Sequence, residues 1–325
     1  MKKTVALLSL IALLALSLVS CSLGGETTKI TVGYMSGPTG MGMAKLIHDN
    51  GGAEGNESYA FNTYTDTAKA KADLTAGNVD IICLPTNEAA AYFNTVDNNT
   101  VVLAINCLNS LYLISDSSSN VTALSELEGK TVYTCKNGTP RVILEYLVEA
   151  LELDITVSYT FDGKEMVAPK DVQTNVLAGK LPYAVIPEPL VTACVLGTAK
   201  TENPYSSDVD LGDEWKKVNP DSPVAMGCIL AKKSFVEENT AAVKSFLEEY
   251  KASVEYIGNS ANLDSAATYI AETGIMAAAP AAKKALSNLG DAIAYIDGKR
   301  MKSVLEDFYA VIGIKAPSDE FYYSN

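Results

Sequence analysis

The sequence predicts an α/β protein built as two similar lobes, and three observations carry that prediction. Short apolar strands alternate with helical segments over most of the chain, the pattern of parallel sheets covered by helices. One βα unit recurs: with Gly77 laid on Gly179, ADLTAGNVDIICLPTNEA matches TNVLAGKLPYAVIPEPLV at an offset of 102, and the loop of Gly37 matches that of Gly138 at an offset of 101. From Phe235 onward the pattern turns almost entirely helical, too little for an independent unit and suited to packing back on one lobe. A chain of 325 residues with 48% hydrophobic and 20% charged residues has enough apolar material for two cores.

Taken in order, 29–34 alternates as a strand should, and MAKLIHDNGG follows as a short helix closed by Gly51. Strands are expected at 59–64, 81–84 and 101–107, separated by helices at 67–76 and 86–93. Segments 111–115 and 223–229 read as the two strands crossing between lobes. The second lobe opens with a strand at 131–134 and a loop holding Gly138, where Thr139 before Pro140 reads as an N-cap with proline at the first helical position. In the tail, Val243, Phe246, Leu247 and Tyr250 share one helical stripe, and later helices are expected at 264–272, 281–289 and 299–311. This gives a first lobe of 29–113 with 222–325 and a second of 114–221.

Composition excludes several functions. Lys and Arg total 25 against 39 Asp and Glu, a net charge of −14 that repels phosphate backbones, so no nucleic acid partner is expected. One histidine, His48, and the absence of Cys-x-x-Cys, HExxH and GxSxG leave no signature of a zinc site or a serine hydrolase, and no cofactor is expected. Gly129-Lys130-Thr131 is not a phosphate loop, because Leu124 stands where that motif needs glycine and a strand follows the lysine.

The N-terminus reads as an export signal. Lys2 and Lys3 precede an uncharged apolar run, TVALLSLIALLALSLVS, which ends in small residues before Cys21. Residues 1–20 are the expected signal peptide and 21–28 a short polar tether. Removing the signal takes away two lysines and no acids, so the net charge falls to −16. The five remaining cysteines, Cys83, Cys107, Cys135, Cys194 and Cys228, are an odd number and sit mostly in apolar runs, where a reduced cysteine behaves as a small hydrophobe.

Ligands of open α/β sheets bind beyond the carboxyl ends of the strands, so two facing lobes share one cleft. The loops at that edge supply the candidate site. From the first lobe come Gly37, Thr39, Gly40 and Met41, then Tyr64, then Thr86 and Asn87. Tyr112 stands at the crossover, and Asn137, Gly138, Thr139, Arg141 and Glu188 come from the second lobe. Free N–H groups at helix starts and the Arg141 guanidinium suit sulfonate, carboxylate or phosphate oxygens. Lys136 adds charge, whereas Glu188 and Asp162, expected near the same edge, favour a zwitterion or an amine-bearing ring. Glu188 equally reads as a cap on a helix N-terminus. Tyr34, Tyr64 and Tyr112 offer flat apolar faces.

The lipobox-like LVSC at Cys21, GYMSGPTGMGMAKLI, AGNVDIICLPTNEAA, LSELEGKTVYTCKNGTP and AVIPEPLVTA resemble the extracytoplasmic solute-binding proteins of bacterial ABC importers, over essentially the whole mature chain. More narrowly they look like the nitrate, sulfonate, taurine and thiamine-precursor branch, in which Leu-x-x-Leu-x-Gly-Lys-x-Val, here starting at Leu124, is frequent. The resemblance implies a bilobed type II periplasmic-binding-protein fold: two Rossmann-like lobes joined by two crossover strands, with the helical tail on the first lobe. It implies no bond chemistry, a small-molecule solute, an ABC permease with its ATPase as partners, a membrane anchor through lipid on Cys21, and a monomer. A ligand-sensing or adhesin lipoprotein, and an enzyme of thiamine-pyrimidine synthesis, are the rival readings.

Overall fold

The computed structural model describes residues 28–324. The expected signal peptide, Cys21 and nearly all of the tether lie outside the described residues.

In chain order the first lobe runs β1 (Ile30–Met35), α1 (Pro38–Met41), α2 (Ala44–Asp49), β2 (Tyr59–Tyr64), α3 (Thr67–Ala76), β3 (Ile81–Pro85), α4 (Thr86–Thr95) and β4 (Thr100–Cys107). The second lobe follows with β5 (Leu111–Asp116), β6 (Thr131–Tyr133), α5 (Thr139–Ala150), β7 (Thr156–Ser158), β8 (Thr160–Phe161), β9 (Lys164–Glu165), α6 (Pro169–Leu177), β10 (Tyr183–Pro187), α7 (Leu190–Thr198), β11 (Tyr205–Asp210) and α8 (Leu211–Val218). The chain then returns as β12 (Gly227–Lys232), α9 (Lys233–Glu238), α10 (Thr240–Ile257), α11 (Leu263–Glu272), α12 (Ala279–Leu289), β13 (Ile293–Ile296) and α13 (Gly298–Val311).

Among the described residues the strands form a six-stranded sheet, β13-β4-β12-β3-β1-β2, a five-stranded sheet, β11-β5-β10-β6-β7, and the β8-β9 hairpin. The recurring βα unit has a structural counterpart. β3 lies between a parallel neighbour, β1, and an antiparallel one, β12, and β10 lies likewise between parallel β6 and antiparallel β5. Gly77 and Gly179, the residues on which the two copies align, both take positive φ (77° and 68°) just past α3 and α6, a conformation that glycine adopts without a Cβ penalty. β4 is buried at every position, as the apolar run Val101–Ile105 requires of a strand with a neighbour on each side.

The chain changes sheets earlier than expected. Leu111–Asp116 pairs wholly within the second sheet, with β10 and β11, so the boundary placed at 113/114 cuts through a strand. The crossovers are the short segments 108–110 and 219–226. The reason is pairing: Leu111 sits opposite Pro187, so the first residue of β5 already has its antiparallel partner in the second sheet.

The tail packs on the first sheet. The expected stripe of Val243, Phe246, Leu247 and Tyr250 is buried with Val32, Ile81 and Leu103 of the strands, and β13 adds an edge beside β4. α13 does more than cover this lobe: Phe308 is buried with its ring centroid 5.8 Å from that of Trp215 on α8, so one apolar cluster runs across the boundary between lobes. Among the described residues no helix is long and apolar enough to cross a membrane.

Candidate functional site

The carboxyl ends of β1, β3, β6 and β10 point the chain into loops and helix starts at the seam between the two sheets. The turn after β1 folds tightly: a Cβ on Gly40 would lie 2.1 Å from the Met35 carbonyl oxygen, so only glycine fits. Thr39 is held from two sides. Its carbonyl oxygen accepts from Asn106 Nδ2 at 3.0 Å, and its methyl sits 2.3 Å from where a Cβ on Gly227 would be. Asn106, at the end of β4, also donates to the Tyr250 hydroxyl at 3.0 Å, while its Oδ1 is buried without a partner.

Two helix starts, one from each lobe, meet at the seam. The Thr139 hydroxyl of α5 lies 3.1 Å from Asn87 Oδ1 of α4 and joins the lobes directly. Thr139 is buried, as is Thr39. The N-cap of α5 is Gly138 and not Thr139; its φ of 91° lies in the left-handed region, and Thr139 becomes the first helical residue with Pro140 second. Arg141 stands in the first turn with its guanidinium carbon 5.8 Å from the Tyr159 ring centroid, its Nε buried without a hydrogen-bond partner and 4.0 Å from Glu145. Asn137 is exposed and Gly37 half-buried beside these starts.

Other candidates are placed differently. The Thr86 N–H donates to the Met226 carbonyl at 3.1 Å, its hydroxyl donates to the Ala225 carbonyl, and its own carbonyl accepts from Tyr309, so the residue ties α4 to the second crossover with no polar group free for a solute. Tyr64 directs its hydroxyl to Asp73 on α3 at 2.9 Å. Met41 is fully buried in the core under the first sheet. Lys136 is paired with Glu165 at 2.8 Å. Asp162 is a turn residue: Asp162 and Gly163, both with positive φ, are the central residues of the β8-β9 hairpin, a turn for which Asp-Gly is suited.

Glu188 takes the capping role, the second of its two readings, and not that of a solute contact. It is fully buried, and its carboxylate accepts from the Thr192 N–H at 3.0 Å, the Thr192 hydroxyl at 2.9 Å and Asn288 Nδ2 at 2.6 Å. The first two bonds cap the start of α7; the third comes from α12 of the first lobe. Burial raises the Glu188 carboxyl above its ordinary value. Tyr112 joins the same cluster, its hydroxyl donating to the Asn288 carbonyl at 2.6 Å, and burial with the nearby Asp210 and Glu188 charges pushes that phenol up. Asn288 gave no signal in the sequence, because it lies 100 positions from its partner Glu188 in an ordinary helical stretch. Cys135 is buried at the second glycine loop, its thiol pushed up to about 11 by burial and 3.0 Å from the Asn137 carbonyl, the geometry of a structural cysteine.

Two shallow concavities are lined by none of the proposed binding residues. One of about 270 Å³ lies beside the β8-β9 hairpin among Asp162, Glu165, Asp171 and Lys180, and one of about 390 Å³ lies at the sheet edge near Thr28 and Glu249. Among the described residues no group of three or more His, Cys, Asp or Glu side chains is placed to hold a metal ion.

No protein-family profile and no curated protein matches the chain. Solved structures do. An ABC transporter structure from Parabacteroides distasonis aligns with a TM-score of 0.69 and 19% identity, covering 92% of this chain and 99% of that one. The periplasmic aliphatic sulphonate binding protein SsuA of Escherichia coli aligns at 0.66 and 15% identity over 91% and 92% of the two chains. The periplasmic nitrate-binding protein NrtA of Synechocystis PCC 6803 aligns at 0.62 and 12% identity over 92% of each. The chain has the bilobed fold of the periplasmic binding proteins, and these structural neighbours include the sulfonate and nitrate binders that its sequence motifs resemble.

Proposed function

We propose that the chain is the extracytoplasmic solute-binding subunit of an ABC importer, anchored through lipid on Cys21, which captures a small organic anion between its lobes and delivers it to a permease and its ATPase. The observation that carries this reading is the meeting of two helix starts from opposite lobes, joined by Thr139 and Asn87. Free N–H groups in a first helical turn suit anionic oxygens, and Arg141, in the same turn of α5 with an unpartnered Nε, adds a guanidinium. The binding set in this reading is Gly37, Thr39, Gly40, Asn87, Asn137, Gly138, Thr139 and Arg141. Glu188 leaves the set, since its oxygens are already hydrogen-bonded, and with it goes the main support for an amine-bearing solute.

The likeness to the sulfonate and nitrate binders supports an oxyanion, and a sulfonate or taurine-like solute fits best. No bond is made or broken; solute contacts from both lobes would favour a closed arrangement, and closure would release the solute only at the permease. The test is native mass spectrometry of the full chain for a co-purified small molecule, followed by thermal shifts with taurine, alkanesulfonates, nitrate and amine-bearing heterocycles. Saturation at about 100 times Kd adds roughly 2.7 kcal/mol of stability. The reading expects a defined bound mass or a sulfonate-induced shift, and silence across both measurements would overturn it.

A further inference from the structure

Glu188 and Asn288 bridge the lobes through residues outside the proposed binding set. Asn288 sits at the end of α12, a helix of the first lobe's tail, and is half-buried. Its Nδ2 donates across the seam to Glu188 Oε1 at 2.6 Å and lies 3.3 Å from the Thr192 hydroxyl, both at the start of α7 in the second lobe. Its carbonyl accepts the Tyr112 hydroxyl from the second lobe's β5. One residue of the first lobe therefore binds three of the second. The acceptor is a buried carboxylate, and charge-assisted bonds of this kind are roughly twice as strong as neutral ones.

This cluster stands beside the first crossover. The Leu108 N–H donates to the Ala292 carbonyl at 2.7 Å, four residues beyond Asn288, so the crossover and the end of α12 are tied together. Glu188 is tied to the same crossover from the other side, its N–H donating to the Ser110 carbonyl at 2.9 Å, so a change in the backbone of 108–110 shifts Asn288 and Glu188 relative to each other, and parting them would leave a buried carboxylate without one of its donors, an outcome that costs more than the bond itself is worth.

We propose that Asn288 and Glu188 form an interlobe latch that sets the balance between closed and open arrangements of the two lobes without touching the solute. The latch rests on the hinge-closing reading for its consequence, a solute affinity tuned by residues outside the binding set, because the share of closed protein enters the apparent affinity directly.

The test needs no solute. Spin labels on V96C in the first lobe and E149C in the second, both exposed positions, are placed in the full chain carrying C21S in detergent; the other five cysteines are buried. Pulsed electron resonance then reads the interlobe distance. N288A, and more strongly N288D, which sets two carboxylates face to face, should move the distribution to longer distances by more than about 2 Å. The reciprocal pair N288D/E188Q, which restores a donor opposite an acceptor, should return it to the parent distance. Circular dichroism of each variant separates opening from unfolding. Folded N288A and N288D proteins with the parent distance overturn the latch, and so does a folded reciprocal pair that stays displaced. Failure of the sulfonate panel would sink the proposed function and leave this comparison intact.

Discussion

Glu188 joins the two lobes through a carboxylate that the fold has removed from water. Burial dominates its titration and raises its value in the folded chain above the one it has unfolded, near 4.3. The sign follows from proton binding. Over the window between the two values the folded state holds a proton that the unfolded chain has released, so the stability this group contributes is full below the unfolded value and is lost as pH rises through the folded one. E188Q does not ionise and escapes that loss. Its stability relative to the parent should therefore improve as pH climbs above about 4.3, whatever the difference at low pH. Urea unfolding of both proteins at several pH values measures it, and a difference independent of pH would show that Glu188 keeps its ordinary titration. At the same scale, Tyr112 and Thr86, both expected to face a solute, have hydroxyls already bonded to the carbonyls of Asn288 and Ala225. Residue type and position at a strand end do not reveal which carbonyl a hydroxyl will meet.

Among the elements, α13 has a role that its sequence pattern understates. Its apolar stripe, with Met301, Leu305 and Phe308 buried, reads as a cover for one lobe, and most of it is that. Phe308, however, meets Trp215, which in turn lies 5.0 Å from Tyr146 of α5. The Trp215 indole N–H donates to the Ser222 carbonyl in the second crossover at 2.6 Å, so this aromatic wedge packs beside one crossover while Asn288 stands beside the other. F308A should cost about 3–5 kcal/mol in chemical denaturation, the ordinary cost of an emptied aromatic site in a core. Because Trp215 is the only tryptophan, its emission should shift to longer wavelength in the folded variant as water enters beside the indole. A loss below about 1 kcal/mol with unchanged emission would mean that α13 and α8 do not depend on each other.

For the molecule as a whole, three apolar clusters, one of them running across both lobes, leave the five described cysteines Cys83, Cys107, Cys135, Cys194 and Cys228 reduced and buried. Burial pushes Cys83, Cys107 and Cys194 up to about 12, Cys135 to about 11, and Cys228 higher still, so at neutral pH the reactive thiolate is scarce as well as hidden. In the chain carrying C21S, Ellman's reagent at pH 8 should find almost no thiol in the native protein and five after unfolding. Rapid native reaction at one site would mark local opening there, with Cys135 the residue nearest the proposed cleft.

Much of the architecture is legible in the sequence. The strands β1 to β6 and β12, the similarity of one lobe to its copy and most of the helical tail follow from periodicity, turn residues and internal similarity, because each is decided within a few residues of chain; β7, β8, β9, β11 and β13 gave no such signal, being two to four residues long or, in β11, mostly polar. Of the candidate site, the helix starts at Asn87 and Thr139 were legible for the same reason: their position after a strand that ends at a loop is local. The point where the chain changes sheets was not, since Leu111 belongs to the second sheet only through its partner Pro187. Nor was the division between residues free to hold a solute and residues that bind the lobes together. Glu188 and Asn288 are separated by 100 positions, as Thr86 and Ala225 are by 139, and no local signal links them. Hydrophobic pattern and turn chemistry are properties of neighbouring residues and survive in the sequence alone; the occupation of a hydrogen-bonding group depends on what the fold brings beside it, and that exists only once distant segments have packed.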